Sequence, residues 1–373
     1  MSQPVLMQPT PKKNFDFVDT IRCISMMGIV FEHCSVLWTD QYVNYGDKVI
    51  QASVMQFFKF ATIAFFLIGG FLINHKFTEY TPLAYLKNRF KNTIGPWAFW
   101  IAVLIGLNVI QRYVVFSKNN DISTLPNWNY ISGQLYQIVF YTSFWFILNF
   151  LICISLLLIF KRYLYKLWFG VILGVVSLFY SVNLYYEWVT TEHSTALFGF
   201  VFYLWLGVYM NRHYDKVSIF IAKLSWSWLI VVNVLFFIAA DAEILHLMQR
   251  GSTDAFNTLR ISNVFYSLSM FALLLKIGSI AVLQKRLKPR QTTFGVYLLH
   301  EILILRLLSE IFRPGKFNIA QMNIFEATGY TLLRFLIIYG ISFFLVNLIL
   351  KSKFKWTIGV KELPKTPKPS LPV

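Results

Sequence analysis

Apolar runs of roughly 20 residues recur along nearly the whole chain, and each is long enough to cross the hydrocarbon core of a bilayer as a helix. Charge agrees with that constraint: 14% of the 373 residues are charged, where a soluble domain carries about a quarter. The N-terminal stretch MSQPVLMQPTPKK has no apolar h-region and no small-residue cleavage site, so no signal peptide is expected. The chain reads as an all-α, polytopic integral membrane protein, which excludes soluble and secreted classes.

Hydropathy windows predict ten spans. They are Phe17–Trp38, Ser53–Asn74, Ile94–Phe116, Gln134–Phe160, Leu167–Tyr186, Thr195–Met210, Ser225–His246, Thr258–Leu283, Thr292–Phe312 and Thr328–Leu350, the sixth being short. Residues 15–350 form one membrane domain. Residues 1–14 are an N-terminal tail and 351–373 a basic, Pro-rich tail, with the first dozen residues and those after Val360 expected to be disordered.

The net charge of +17 invites a nucleic-acid reading, but the placement of the charges argues for topology instead. One set of loops holds Lys12, Lys13, Lys76, Lys87, Arg89, Lys91, Lys161, Arg162, Lys166, Arg212, Lys216, Lys223, Lys285, Arg286, Lys288 and Arg290. The C-terminal tail adds Lys351, Lys353, Lys355, Lys361, Lys365 and Lys368. The alternate loops hold only Lys48, Lys118, Arg250, Arg313 and Lys316, alongside Asp40, Asp47, Asp121, Glu187, Glu192 and Asp254. By the positive-inside rule both termini are cytoplasmic. A basic cytoplasmic mouth would also attract a polyanionic ligand. Cys23, Cys34 and Cys153 lie inside apolar spans with no metal-ligand spacing, so no metal site is expected.

The first span, DTIRCISMMGIVFEHCSVLW, breaks the apolar rule with Arg22 near its start and Glu32-His33 near its end. Eleven residues at about 100° each come close to three full turns, so Arg22 and His33 project from one face about 16 Å apart. Ionisable groups at such depth are costly and face a cavity or a partner. Snorkelling of Arg22 and an interfacial, hydrogen-bonded His33 are the bland alternatives. Glu32 is a candidate to orient His33 or raise its basicity, although adjacent helical residues diverge by about 100°.

An arginine, ten intervening residues and a histidine on the first span resemble the membrane-bound acyltransferase-3 family of bacterial O-acyltransferases. Other stretches match in the same order. FFLIGGFL (Phe65 to Leu72) is similar to the family's second-span signature, with Gly69 where that pattern often has serine. YLKNRFKNTIGPWAFW (Tyr85 to Trp100) looks like its Arg-rich entry to the third span, with Lys87 and Lys91 flanking a single Arg89. FWFILNFL (Phe144 to Leu151) resembles its Trp-containing fourth span, and FGVYLLH (Phe294 to His300) its late Tyr-x-x-His element.

The resemblance implies acyl transfer, usually of acetyl, from a cytoplasmic acyl-coenzyme A to a hydroxyl on a cell-surface or lipid-linked carbohydrate, in a bacterial plasma membrane and with no metal. Arg22, Arg89, Lys87 and Lys91 would bind the coenzyme A phosphates, with Trp145 and Asn149 lining the donor channel. His33 would take the acceptor proton as general base, or carry the acyl group in a histidine intermediate. Tyr297 and His300, three apart on one helix face near Glu301, and Arg306 and Arg334 are substrate-side candidates. The two arginines have Glu310 and Glu326 as alternative pairing partners. No esterase-like domain follows, so transfer is expected within the membrane domain or by a separate protein. The rival from another class is a transporter or flippase for a lipid-linked sugar or small acid, which also keeps ionisable groups at membrane depth.

Overall fold

The computed structural model describes residues 15–39, 41–79, 81–192, 196–311 and 318–360. Outside them lie the 1–14 tail with Lys12 and Lys13, Asp40, the expected start of the sixth span at Thr195, and the expected end of the ninth at Phe312. Arg313, Lys316 and the last part of the C-terminal tail, with Lys361, Lys365 and Lys368, lie outside as well.

Among the described residues every regular element is a helix. In chain order these are α1 (Asp16–Cys34), α2 (Tyr45–Gln56), α3 (Ala61–Glu79), α4 (Pro82–Asn119), α5 (Trp128–Tyr141), α6 (Trp145–Ile159), α7 (Leu167–Tyr186) and α8 (Val201–Arg212). They continue as α9 (Tyr214–Lys223), α10 (Trp226–Gln249), α11 (Ile261–Ile277), α12 (Ala281–Leu287), α13 (Pro289–Ile302), α14 (Ser309–Ile311) and α15 (Ile324–Leu350). Five stretches are long and apolar enough to cross a membrane, or up to seven if each of two bent pairs counts as one span.

α1, which holds Arg22 and His33, and α13, which holds Tyr297 and His300, lie outside that count. α1 packs against α3, α11, α13 and α15, and α13 is buried around its whole circumference from Thr292 to Ile302 except at Phe294. Polar side chains on these two helices face protein rather than lipid, which is the condition under which they are tolerated. α8 has 12 residues, about 18 Å at 1.5 Å per residue. Its hold on the bundle is a close crossing with α3, where Gly70 faces Leu204 and Gly207 faces Leu67.

Three expected spans are reshaped, each for a visible reason. The fourth is broken at Thr142–Phe144, with α5 and α6 meeting at 65°. The eighth stops at Gly278, whose φ of +74° is open to glycine and strained for other residues, and α12 leaves at 94°. The third begins earlier than hydropathy indicates, because Thr81 caps α4 at Ala84 N and Pro82 starts it. α4 then runs 38 residues, about 57 Å, so its basic first turns extend the span beyond a ~30 Å core.

Arg260, fully buried ahead of α11, donates to Gln56 Oε1 (2.6 Å), Ala240 O (2.7 Å) and Asn257 O (3.0 Å). Glu243 accepts from Ile261 N and Ser262 N. These bonds tie α2, α10 and α11 together without lining either of the cavities described below.

Candidate active site

Arg22, Met26, Ile29 and His33 follow the i, i+4, i+7, i+11 spacing of one helix stripe, and all four line cavities. Two cavities lie along this stripe. The one at the Arg22 end encloses about 340 Å³ and the one at the His33 end about 700 Å³. Both volumes fall in the ligand-site range of roughly 300–1,000 Å³. The cavities share three lining residues, Ile29, Phe146 and Tyr297, which form the partition between them.

The smaller cavity is cationic. Arg22, Arg89 and Arg290 line it with Asn92 and Gln291. Asp19, 6% exposed, holds two of the arginines, accepting from Arg22 Nη1 at 3.2 Å and Arg290 Nε at 2.6 Å. Arg89 Nε donates to Tyr85 OH at 3.2 Å. With Asp19 orienting two guanidinium forks beside a third, and Asp16 3.6 Å from Arg290, three arginines against two carboxylates leave net positive charge, suited to phosphate recognition. Lys87 and Lys91 are exposed on α4 and do not line the cavity. Arg290, seen in the sequence only as a loop charge, lines it instead.

The larger cavity holds His33, Glu32, Glu301, Ser143 and Trp145. Trp145, expected on the donor side, opens α6 and lines the histidine cavity instead. Asn149, one turn on, is buried and accepts from Cys153 Sγ at 3.2 Å. The imidazoles of His33 and His300 lie 5.4 Å apart, centre to centre. His300 is fully buried, with Nδ1 2.6 Å from Tyr297 O and 3.3 Å from Val296 O. Carbonyl neighbours assign the proton to Nδ1, so Nε2 presents a lone pair. That nitrogen has no hydrogen-bond partner among the described residues and stands 4.0 Å from Glu301 Oε2.

The break in the fourth span is tied to the partition. Unwinding at Thr142–Phe144 frees backbone groups that lipid cannot satisfy. Here α13 supplies the partners: Ser143 N donates to Glu301 Oε2 at 3.3 Å, and Tyr297 OH donates to Ser143 O. The Tyr-x-x-His element therefore does two jobs, pinning the broken helix with its tyrosine and placing a buried imidazole beside His33. A six-residue π-helical stretch follows directly, Leu303–Leu308, a distortion often found at functional sites.

Glu32 is committed elsewhere. Its Oε1 pairs with Nζ of Lys59, a residue 1% exposed, whose ammonium also lies 4.8 Å from the centre of the Trp38 ring. Lys59 sits in the turn between α2 and α3 and was missed in the sequence, although a lone cation inside the run FFKF is the signal to look for. Lys59→Met strands the Glu32 carboxylate and is expected to cost about 3 kcal/mol, read as a lowered thermal midpoint in detergent. Adding Glu32→Gln should recover part of it, and an unshifted Lys59→Met midpoint would rule out a structural role for the pair.

Arg306 and Arg334 line neither cavity. Arg306 donates to Gln111 Oε1 on α4, and the Arg334 guanidinium lies 5.7 Å from the centre of the Tyr330 ring. Glu326, considered as their partner, closes a capping box with Asn323 at the start of α15.

Comparison with known proteins supplies the context for this geometry. The profile of a family described as "Acyltransferase domain", acyltransferase-3, matches residues 15–345. A "Probable poly-beta-1,6-N-acetyl-D-glucosamine export protein" of Staphylococcus epidermidis is 25% identical over 305 residues, covering 79% of this chain and 82% of that protein. The protein of the same description from S. epidermidis strain RP62A gives the same figures. No solved structure matches. The matched region takes in α1 with its Arg22–His33 stripe, the broken fourth span and the Tyr297–His300 element. The chain belongs to the acyltransferase-3 family of membrane proteins.

Proposed function

We propose that the protein is an O-acyltransferase that moves an acyl group, acetyl in the simplest case, from acyl-coenzyme A to a hydroxyl of a cell-surface or lipid-linked glycan. The observation that carries this is the pair of cavities meeting at Ile29, Phe146 and Tyr297. Arginines on one side suit the donor's phosphates, and the imidazole on the other suits the acceptor hydroxyl. Coenzyme A is charged at one end and reactive at the other, so its thin arm fits a path crossing that partition.

In this reading His33 takes the proton of the acceptor hydroxyl as its oxygen attacks the thioester carbonyl carbon. The carbon–sulfur bond breaks, the thiolate leaves, and the proton on His33 passes to it, giving an ester and free coenzyme A. The Lys59 pair fixes Glu32 at the acceptor cavity, and Tyr297 and Glu301 hold the broken helix against the partition.

We further infer ten membrane spans in a bacterial plasma membrane, with both termini cytoplasmic. α1, α8 and α13 with the π-helical stretch add three spans to the seven counted by length and apolarity. Supporting an even number, Asp16 reaches Arg290 at 3.6 Å while Val360 lines the same cavity as Arg290, so the described chain begins and ends at one end of the bundle. Loop charge follows the same division, with Arg89 and Arg290 at that end and Glu187, Glu192 and Asp254 lining the opposite cavity.

The test follows labelled acetyl from acetyl-coenzyme A into the lipid and polysaccharide fractions of membranes. Arg22→Ala is expected to raise KM for acetyl-coenzyme A tenfold or more, about 1.4 kcal/mol of donor binding, with a smaller change in kcat. An unchanged KM removes Arg22 from the donor site. The relatives' printed description favours one other reading, export of a poly-N-acetylglucosamine chain. Export would proceed without an acyl donor and leave no label in any fraction.

A further inference from the structure

His33 lies four residues beyond Ile29 on α1, about 6 Å further along the helix axis. A thioester carbonyl within reach of its imidazole has therefore passed the partition between the cavities. The acyl group, as the leading end of the donor, has passed it first. What the partition admits decides which acyl groups can react.

Each of the three partition residues is held in place. Ile29 is 6% exposed, and a β-branched side chain in a helix keeps essentially one rotamer. Tyr297 is 4% exposed, and its hydroxyl donates to Ser143 O. Phe146, in the first turn of α6, is clamped between aromatic rings. Its ring centre lies 5.1 Å from that of Phe66, which is fully buried, 5.9 Å from that of Tyr297, and 5.8 Å from that of Phe150, on which it stacks at 19°.

Phe150 is braced in turn. A Cβ at Gly69 would lie 2.5 Å from its ring, so the ring occupies the space that a side chain at that position would fill. Gly69 and Phe150 both line the smaller cavity, and the stack from Gly69 through Phe150 supports Phe146 from the arginine side. An aromatic packed on several sides cannot swing aside without displacing its neighbours. The gap at the partition thus has a fixed width, while the cavity beyond it encloses about 700 Å³.

Building on the acyl-transfer reading, we infer that the donor carries a straight-chain acyl group and that Phe146 is the residue that sets this limit. Selection is by cross-section at the gap and not by volume in the cavity beyond. A branched or aromatic acyl group is stopped between Phe146 and Ile29, although the space past them could hold it. The geminal methyl groups of coenzyme A itself, two amides back from the sulfur, stay on the arginine side and never meet the gap.

The experiment measures binding of two isomeric thioethers, S-pentyl-coenzyme A and S-(3-methylbutyl)-coenzyme A, to the full-length protein in nanodiscs. Neither can transfer its alkyl group, and the two differ only in branching. The straight isomer is expected to bind at least tenfold more tightly. In Phe146→Ala the two should come within threefold of each other, chiefly by a gain for the branched isomer. Phe146→Leu, which disturbs the ring cluster less, should show an intermediate ratio. A merely structural role for Phe146 would weaken both isomers alike and leave their ratio unchanged. Equal or tighter binding of the branched isomer by the wild type, a ratio unchanged in either folded variant, or no binding of either thioether overturns the inference.

Labelled acetyl-, pentanoyl- and 3-methylbutanoyl-coenzyme A, supplied to membranes that contain the native acceptors, separate this from the underlying reading. Isomer discrimination in binding with no label transferred from any donor would count against acyl transfer alone. Transfer of the 3-methylbutanoyl group as fast as the pentanoyl group would count against the straight-chain limit alone.

Discussion

His33→Gln is expected to lower the rate of acetyl transfer by roughly three orders of magnitude, the middle of the range for loss of a positioned general base. Glutamine keeps the approximate size and a hydrogen-bonding end but cannot accept a proton at neutral pH. The partly exposed His33 ring lies at the cavity wall, so the exchange opens no core void. Arg22, Arg89 and Arg290 line the separate cavity beyond Ile29, Phe146 and Tyr297. Binding of acetyl-coenzyme A and the elution profile of the purified protein should therefore be unchanged. Kinetics at saturating donor, with expression matched, make the check. Retention of more than a tenth of wild-type kcat would remove His33 as the base and direct attention to His300, whose ring is 5.4 Å away.

The Arg22–His33 stripe was legible in the sequence because it depends only on helical periodicity, and the cavities at its two ends follow that periodicity. Tyr297 and His300 were legible as a pair on one face. Their division of labour was not, because it depends on a helix break in a span that hydropathy reads as continuous. Nothing in the apolarity of Gln134–Phe160 reveals that Ser143 N and O find their partners on α13. Arg89, Lys87 and Lys91 looked equivalent by charge and proximity, yet helical phase puts only Arg89 in the cavity. Trp145 lines the cavity at the His33 end and not the one at the Arg22 end, a placement that depends on where α6 begins. Lys59 and Arg260 were overlooked as single cations near span ends, although both are almost completely buried. A cation inside an apolar run marks a partner, but its identity, Glu32 in one case and Gln56 in the other, requires the tertiary fold.

Gly70→Val should abolish recovery of folded protein, an effect that originates at a helix crossing. A Cβ at Gly70 would lie 1.9 Å from Leu204 O, and one at Gly207 would lie 2.0 Å from Leu67 O. The two glycines thus bring the backbones of α3 and α8 into direct contact, the small-residue packing that holds membrane helices together where lipid provides no hydrophobic drive. Neither obstacle is a side-chain tip that can swing aside, so the helices must separate along the crossing. The cost should exceed about 3 kcal/mol, the upper part of the usual range for overpacking. Glu187, Val189, Thr190, Thr191 and Glu192, in the stretch that precedes α8, line the larger cavity. Gly70→Ala should already show the effect, and Gly207→Ala should match it because the contact is reciprocal. Gly106 in α4 and Gly340 in α15, where a Cβ meets nothing within 4 Å, provide the control: alanine there should be neutral or slightly stabilising. Fluorescence-detected size exclusion of the solubilised proteins reads all five variants. A monodisperse, wild-type-level peak for Gly70→Ala would show that α3 and α8 do not meet at this crossing.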